Sequence, residues 1–368
     1  MGAKLEHKEH FHGSDLEKIE KIYGIKKEEL VSFSANVNPL GLSPLVNKEL
    51  SQNLDCLTAY PDREYSDLRK AIASYVNSNP ENVCVGNGAS ELISLLSKVC
   101  KPKKALILGP TYSEYEHSLG LAGGMCDYFE LKEIDNFVLD KENLIKSLKA
   151  GYDLCVLCNP NNPTSALIEK DVLKEICKSA KENNVLLMVD ENYMEFVDDK
   201  KDASAVSLTF DYKNLIVLRG VSKFFASPGL RLGYAVTSNT DLIKRVNELQ
   251  VPWSVNSLAE VAGKVMFSDK EYIKNTKEYV SIERNRIFER LSKIKSLKVY
   301  KPTCNFILCK IISGNVEAND LFDAAIKEKC MIRDCADFNF LDESFFRFCF
   351  MKKDDNDRLL NVIEKLFK

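Results

Sequence analysis

Apolar residues along this chain fall into short, nearly continuous runs. They lie at 83–85, 105–108, 154–157, 185–189, 215–218 and 232–236. Runs of this length, rich in Val, Leu and Ile, read as strands buried on both faces. Between them lie segments that read as helices, at 89–100, 113–122 and 169–183. Upstream, residues 65–77 predict an amphipathic helix with Leu68, Ile72 and Val76 on one face. Ser14-Asp15-Leu16-Glu17 has the form of a capping box opening a short helix that ends near Gly24. Strands alternating with helices predict an α/β fold whose largely parallel sheet is covered on both faces. Beyond 240 the pattern turns helical to about 292, with breaks at Pro252 and near Phe267. A compact α+β ending follows: strand 305–311, helix 318–328, strand 345–350 and helix 354–367.

Composition narrows the class. With 368 residues, 45% of them hydrophobic, the chain fills one large domain and a smaller one. A net charge of −3 gives no reason to expect nucleic acid or an anionic membrane as partner. No apolar run approaches the ~20 residues that span a bilayer, and the charged N-terminus has no signal-peptide pattern. Most of the 12 cysteines sit in apolar stretches, where they behave as small hydrophobes. Cys155 and Cys158 have redox spacing, but in a strand they face opposite sides, so no disulfide is expected and a cytoplasmic location is. His7, His10 and His12 cluster without partner ligands, and no metal site is expected.

A few polar residues interrupt this apolar frame. Lys223 is the only charge between Gly220 and Leu230, in a turn between two apolar strands. Burying an ammonium is costly, so such a lysine needs a covalent or ionic partner, or loses its proton. Gly86-Asn87-Gly88-Ala89-Ser90-Glu91 joins a strand to a helix. Its glycines let backbone N–H groups turn toward an anion at a positive helix end. Asn159-Pro160-Asn161-Asn162-Pro163-Thr164 has two Asn-Pro steps that force an extended loop. Asp190 ends an apolar strand, where a carboxylate needs a cationic partner. Arg347 lies inside the aromatic run Phe345-Phe346-Arg347-Phe348.

The run Ser222-Lys223…Pro228-Gly229-Leu230-Arg231-Leu232-Gly233-Tyr234 resembles the signature of the fold-type I, class I/II aminotransferases. The other strand-end groups follow in that family's chain order, so the resemblance covers nearly the whole chain. It implies an aspartate-aminotransferase-like fold, with a large pyridoxal-phosphate domain at 46–245 and a small domain made of 1–45 and 246–368. It implies pyridoxal phosphate as cofactor, held as a Schiff base on Lys223. Gly88, Ala89, Ser90, Ser222 and Arg231 would hold its phosphate, and Tyr112 would lie against its ring. Asn162 and Tyr193 would bind the phenolic oxygen, and Asp190 would keep the ring nitrogen charged. Tyr60, in Tyr60-Pro61-Asp62, would reach the neighbouring subunit's phosphate, which implies a homodimer. Ser165 stands where the family has Gly.

Two branches of the family share these features. Threonine-phosphate decarboxylases, of the cobalamin-type pathway, resemble this chain at His12-Gly13, at 33–41, at 251–256 and at Arg333-Asp334-Cys335-Ala336. There His12, Asn36, Arg333 and Arg347 would cradle a substrate phosphate, with Asn162 also near the substrate. Histidinol-phosphate aminotransferases are resembled at the cofactor, through 88–91, Tyr112 and 190–193. The decarboxylases usually carry Phe where Tyr112 and Tyr193 stand, so transamination of a small phosphate- or phosphonate-bearing amine, with a 2-oxo acid as acceptor, is the expected reaction. Aminoethylphosphonate is a further candidate substrate. Decarboxylation is the alternative. A non-catalytic regulator on the same fold is the remote one, since such regulators carry an appended DNA-binding module, and the catalytic lysine is intact.

Overall fold

The computed structural model describes residues 15–199 and 202–367. In chain order the elements are α1 Leu16–Tyr23, β1 Val31–Ser32, α2 Pro44–Gln52, α3 Ser66–Val76, β2 Val83–Gly86, α4 Ala89–Cys100 and β3 Lys104–Gly109. Then come α5 Glu114–Leu121, β4 Met125–Glu130, α6 Lys141–Ser147, β5 Leu154–Cys158, α7 Lys170–Glu182, β6 Leu186–Asp190, β7 Leu215–Gly220 and β8 Gly233–Val236. The remainder is α8 Thr240–Leu249, α9 Ser257–Met266, α10 Lys270–Leu291, β9 Leu297–Val299, β10 Phe306–Ile311, α11 Ala318–Lys327, β11 Cys330–Met331, β12 Arg333–Asp334, β13 Phe345–Cys349 and α12 Lys353–Leu366. Each apolar run of the sequence became a strand. The edge strand β4, Met125-Cys126-Asp127-Tyr128-Phe129-Glu130, shows no continuous apolar run in the sequence, because Asp127 and Glu130 interrupt it and half of its residues are exposed.

The described residues form two compact units: those within 40–162 and 166–278, and those within 15–39, 163–165 and 279–367. The larger unit holds a seven-stranded sheet in the order β2-β8-β7-β6-β5-β3-β4. The pairs β3–β4, β3–β5, β5–β6 and β6–β7 are parallel; β8 is antiparallel to both β7 and β2. Six strands therefore point the same way, and their C-terminal ends share one edge with the N-terminal end of β8. The division differs from the expected 46–245. Residues 40–45 and 246–278 belong to the larger unit because α9 packs on both α2 and α3. Gly263 of α9 permits that approach: a Cβ there would come within 2.4 Å of Leu68 Cδ1.

The smaller unit holds a four-stranded antiparallel sheet, β12-β13-β10-β9, and the two-stranded parallel pair β1–β11. Its core residues Phe306, Ile307, Leu308, Phe346 and Phe348 have no solvent exposure. Glu283 of α10 is tied to α12: its Oε2 accepts from Asn356 Nδ2 at 2.7 Å and from Arg286 Nη2 at 2.6 Å.

Ser165 is fully buried at a φ of +59°, a conformation easier for Gly. Its hydroxyl explains the serine. Oγ accepts from the backbone N–H of Thr303 at 2.9 Å and of Cys304 at 3.2 Å. Ser165→Ala orphans two N–H groups, at a cost of about 1–3 kcal/mol, while keeping the strained φ. Ser165→Gly loses the same bonds but relieves the backbone. Denaturant unfolding is expected to rank wild type above Ser165→Gly, and Ser165→Gly above Ser165→Ala.

Candidate active site

The shared edge of the large sheet gathers the singled-out polar residues of this unit. After β2, Gly88 (φ +80°) opens α4 with no side-chain cap, so the first N–H groups of the helix face outward. Close packing shapes this turn. A Cβ on Gly88 would lie 2.5 Å from Arg231 Nη2, and one on Gly233 would lie 2.4 Å from the Ala89 nitrogen. Arg231, itself at φ +55°, donates from Nη1 to the Pro228 carbonyl at 3.3 Å and from Nη2 to that of Asn87 at 3.5 Å. A guanidinium, a helix N-terminus and the Ser90 hydroxyl thus occupy one small region, a donor set suited to a phosphate.

Glu91 latches the turn. Its Oε2 accepts from the backbone of Asn87 at 2.7 Å, from Gln250 Nε2 at 3.0 Å and from Ser254 Oγ at 3.2 Å. Asn256 Nδ2 donates to the Leu230 carbonyl at 3.0 Å. The segment 250–256 is thereby held to both sides of the cup, a role the sequence did not reveal.

Tyr112 follows β3 half-buried, its ring edge-on to Tyr115 with centroids 5.7 Å apart at 88°. After β5, Asn159 closes the Asn-Pro loop: Nδ2 donates to the Ile168 carbonyl and Oδ1 accepts from the Ile168 N–H. Asn161 Nδ2 donates to the Pro110 carbonyl at 2.9 Å, joining this loop to the end of β3. Asn162 and Tyr193 are both 7% exposed.

Asp190 ends β6 at 4% exposure. Its Oδ1 accepts from Asn192 N at 2.9 Å and Nδ2 at 2.6 Å; Oδ2 accepts from Tyr115 Oη at 2.5 Å. Burial raises its pKa, and these donors partly offset the rise. Among the described residues no cation pairs with it. A buried carboxylate with hydrogen bonds but no counter-charge fits a cationic ligand group. The neighbouring Glu191 has its own partner: Arg219 Nη2 and Nε donate to Oε2 at 2.7 and 3.0 Å. Arg219 also reaches Glu195 at 3.4 Å, and burial raises the pKa of that second carboxyl.

Lys223 sits in the turn between β7 and β8, half-buried between Ser222 and the fully buried Phe224. Phe224 packs on Phe196, with centroids 5.0 Å apart, and Phe225 on Phe267 at 5.4 Å. Aromatic rings therefore fix the turn on which the lysine stands.

Tyr60 is 78% exposed, its ring 4.5 Å from that of Trp253. Trp253, with Arg63, Arg69 and Asn247, helps line a cavity of about 580 Å³ that none of the expected site residues touches.

In the smaller unit, Arg333 and Arg347 pair directly across β12 and β13, at 8% and 4% exposure. Arg347 Nη2 donates to the Ser34 carbonyl at 2.7 Å, and its guanidinium lies 5.3 Å from the centre of the Phe306 ring. Arg333 Nη2 bridges both oxygens of Asp337, at 2.8 and 2.5 Å. Asn36 is buried at φ +57°, its carbonyl accepting from Asn305 Nδ2 at 2.9 Å. Like charges directly opposite on paired strands repel, so this pair is suited to an anion. His12 lies outside the described residues.

All 12 cysteines are free; burial pushes the Cys155 thiol up to about 12. Among the described residues no helix is long and apolar enough to cross a membrane.

Residues 28–363 match the family model of aminotransferases of class I and II. The chain belongs to that family. It is 38% identical to a protein of Caldanaerobacter subterraneus subsp. tengcongensis with the provisional name threonine-phosphate decarboxylase, over 91% of this chain and 89% of that one. It is 32% identical to the threonine-phosphate decarboxylase of Salmonella typhimurium, over 96% of each. The crystal structure of the histidinol-phosphate aminotransferase from Clostridium acetobutylicum superposes with a TM-score of 0.85 at 33% identity, covering 91% of this chain and 98% of that one. The fold is therefore aspartate-aminotransferase-like, the protein is an enzyme, and its cofactor is pyridoxal phosphate. The uncapped helix start beside Arg231 and the unpaired charge of Asp190 fit that group at its phosphate and its ring nitrogen.

The raised pKa of Asp190 has a consequence in the cofactor-free protein. A carboxyl whose folded pKa exceeds its unfolded value contributes stability at low pH and loses it as pH rises through the folded pKa. Stability of the cofactor-free enzyme should therefore fall as pH climbs above the ordinary aspartate range, about 3.9. Asp190→Asn should flatten that part of the profile in pH-dependent unfolding, leaving the contribution of Glu195 in place. An unchanged profile would show Asp190 to be unperturbed.

Proposed function

We propose that the enzyme transfers the amino group of a small phosphate- or phosphonate-bearing amine or amino acid to a 2-oxo acid. The observation that carries the substrate class is the buried pair Arg333 and Arg347, opposite one another on β12 and β13, with Asp337 held by Arg333. A phosphate or phosphonate dianion is the ligand such a pair suits. Asn36 and His12 complete the proposed substrate set, with Asn162 shared between substrate and cofactor.

Bound pyridoxal phosphate supplies an electron sink for negative charge at the substrate Cα. Lys223 is proposed to bind it covalently and to carry the proton to and from Cα. Asp190 keeps its carboxylate toward the ring nitrogen, and Tyr193 and Asn162 donate to the phenolic oxygen. Ala89, Ser90, Ser222 and Arg231 hold the phosphate, with Gly88 giving room for Arg231, and Tyr112 covers the ring. The hydroxyls of Tyr112 and Tyr193 favour transamination over its alternative. Threonine-phosphate decarboxylation is the second reading, favoured by the names of the two sequence relatives. The two reactions differ in which Cα bond the anion clamp presents, a rotation that the shared cofactor residues leave open. Supported by the free cysteines, we place the enzyme in the cytoplasm, as a homodimer in which exposed Tyr60 reaches the partner's site.

Lys223→Ala should abolish both the visible absorption of the holoenzyme and turnover; retained activity would refute the assignment. Threonine phosphate, histidinol phosphate and aminoethylphosphonate should be offered with 2-oxoglutarate or pyruvate. Amino transfer without CO₂ release supports the leading reading. Acceptor-independent CO₂ release from threonine phosphate replaces it with the second. Arg347→Lys, which loses the bidentate fork, should raise KM for the true substrate at least ~10-fold while leaving cofactor affinity unchanged.

The shared site has its own test. Mixed dimers of Lys223→Ala and Tyr60→Ala subunits contain one intact site if Tyr60 acts across the interface. Partial recovery of activity after subunit exchange is expected, and none if each site is built from one chain.

A further inference from the structure

Tyr115 has no role in the function set out above. It is the second residue of α5, 1% exposed and packed with the core of the large unit, a position that Phe would fill equally well by shape. Its hydroxyl nevertheless donates to Asp190 Oδ2 at 2.5 Å, and its ring stands edge-on to Tyr112. One side chain thus touches both the aromatic proposed to cover the cofactor and the carboxylate proposed to face its ring nitrogen.

Counting acceptor positions sharpens the point. A carboxylate oxygen accepts about two hydrogen bonds. Asp190 Oδ1 already takes two, both from Asn192. Oδ2 takes the bond from Tyr115 and keeps one acceptor position. We infer that Tyr115 is a positioning residue: it fixes the rotation of the Asp190 carboxylate so that Oδ2 is the oxygen offered to the ring N–H of pyridoxal phosphate. Without the phenol, the buried Oδ2 has no donor, and the carboxyl either turns or takes up a proton. A protonated Asp190 offers no charge to hold the ring nitrogen cationic.

The other ionisable groups at this carboxyl are Tyr112 ahead of α5, Cys158 at the end of β5, where it faces Tyr115, and Glu191 next in the chain. Glu191 is held by Arg219, and burial raises the pKa of Tyr112 and Tyr115. Tyr115 is thus the one side chain outside the Asp190 segment that donates to this carboxylate among the described residues.

The inference rests on the proposed role of Asp190, and the experiment separates the two. Dissociation constants are measured for pyridoxal phosphate and for its 1-deaza analogue, whose ring nitrogen is replaced by carbon. The proteins are wild type, Tyr115→Phe, Asp190→Asn and the double variant. Tyr115→Phe should weaken pyridoxal phosphate about 10-fold and the analogue by less than about twofold. It should add nothing in the Asp190→Asn background, and Tyr115→His, which restores a donor, should recover part of the loss. Equal weakening of both ligands, or a full additional loss in the double variant, would show a merely structural phenol and overturn the proposal. Should the Phe variant not fold, Tyr115→His decides: discrimination between the ligands near the wild-type value supports the inference, and its disappearance overturns it. If Asp190→Asn itself fails to discriminate, the role of Asp190 falls, and this proposal with it.

Discussion

A buried carboxylate that pairs with no cation among the described residues organises the large unit. Asp190 is buried at the end of a central parallel strand, where water cannot stabilise its charge. Three hydrogen bonds, from Asn192 and Tyr115, keep it in place, and burial still raises its pKa. Such a group is costly to keep ionised until a cation arrives. A cationic ring nitrogen, of the kind the family's cofactor carries, would fit this need. The arrangement trades stability of the cofactor-free protein for a strong preference about what binds.

The neighbouring carboxylates Glu191 and Glu195 pair with Arg219. Glu191 accepts from Arg219, Ser204 and the Ala205 N–H, so the Arg219 guanidinium is already engaged. Removing Arg219 would leave buried carboxylates unpaired, a loss on the order of 3–5 kcal/mol. On the phosphate side, Gly88 and Gly233 admit backbone and guanidinium at distances a Cβ would forbid. Electrostatics at one end of the site and close approach at the other are both properties of a single sheet edge.

The smaller unit handles charge in the opposite sense. Arg333 and Arg347 face each other across β12 and β13, and Arg347 stands between Phe346 and Phe348 of its own strand. Asp337 answers Arg333, and the Ser34 carbonyl takes one bond from Arg347. Two like charges held in register repel, and a doubly charged anion relieves that repulsion.

Much of this was legible in the sequence. Near-continuous apolar runs have to be buried strands, so the sequence itself sets the glycine turn, the Asn-Pro loop, Asp190 and Lys223 at strand ends. Local patterning carries that information because it depends on neighbours a few residues apart. The half-polar strand β4 lacks such a pattern. What only the tertiary structure decided depends on residues far apart in the chain. Nothing in the helical segment 113–122 marks Tyr115, whose hydroxyl meets a carboxylate 75 residues away. Ser165 looked like a departure from Gly until its hydroxyl met the backbone of residues 303 and 304. The register that sets Arg333 against Arg347 is likewise a property of strand pairing. Periodicity fixes which side of an element is buried; which distant group meets it is settled only when the elements pack.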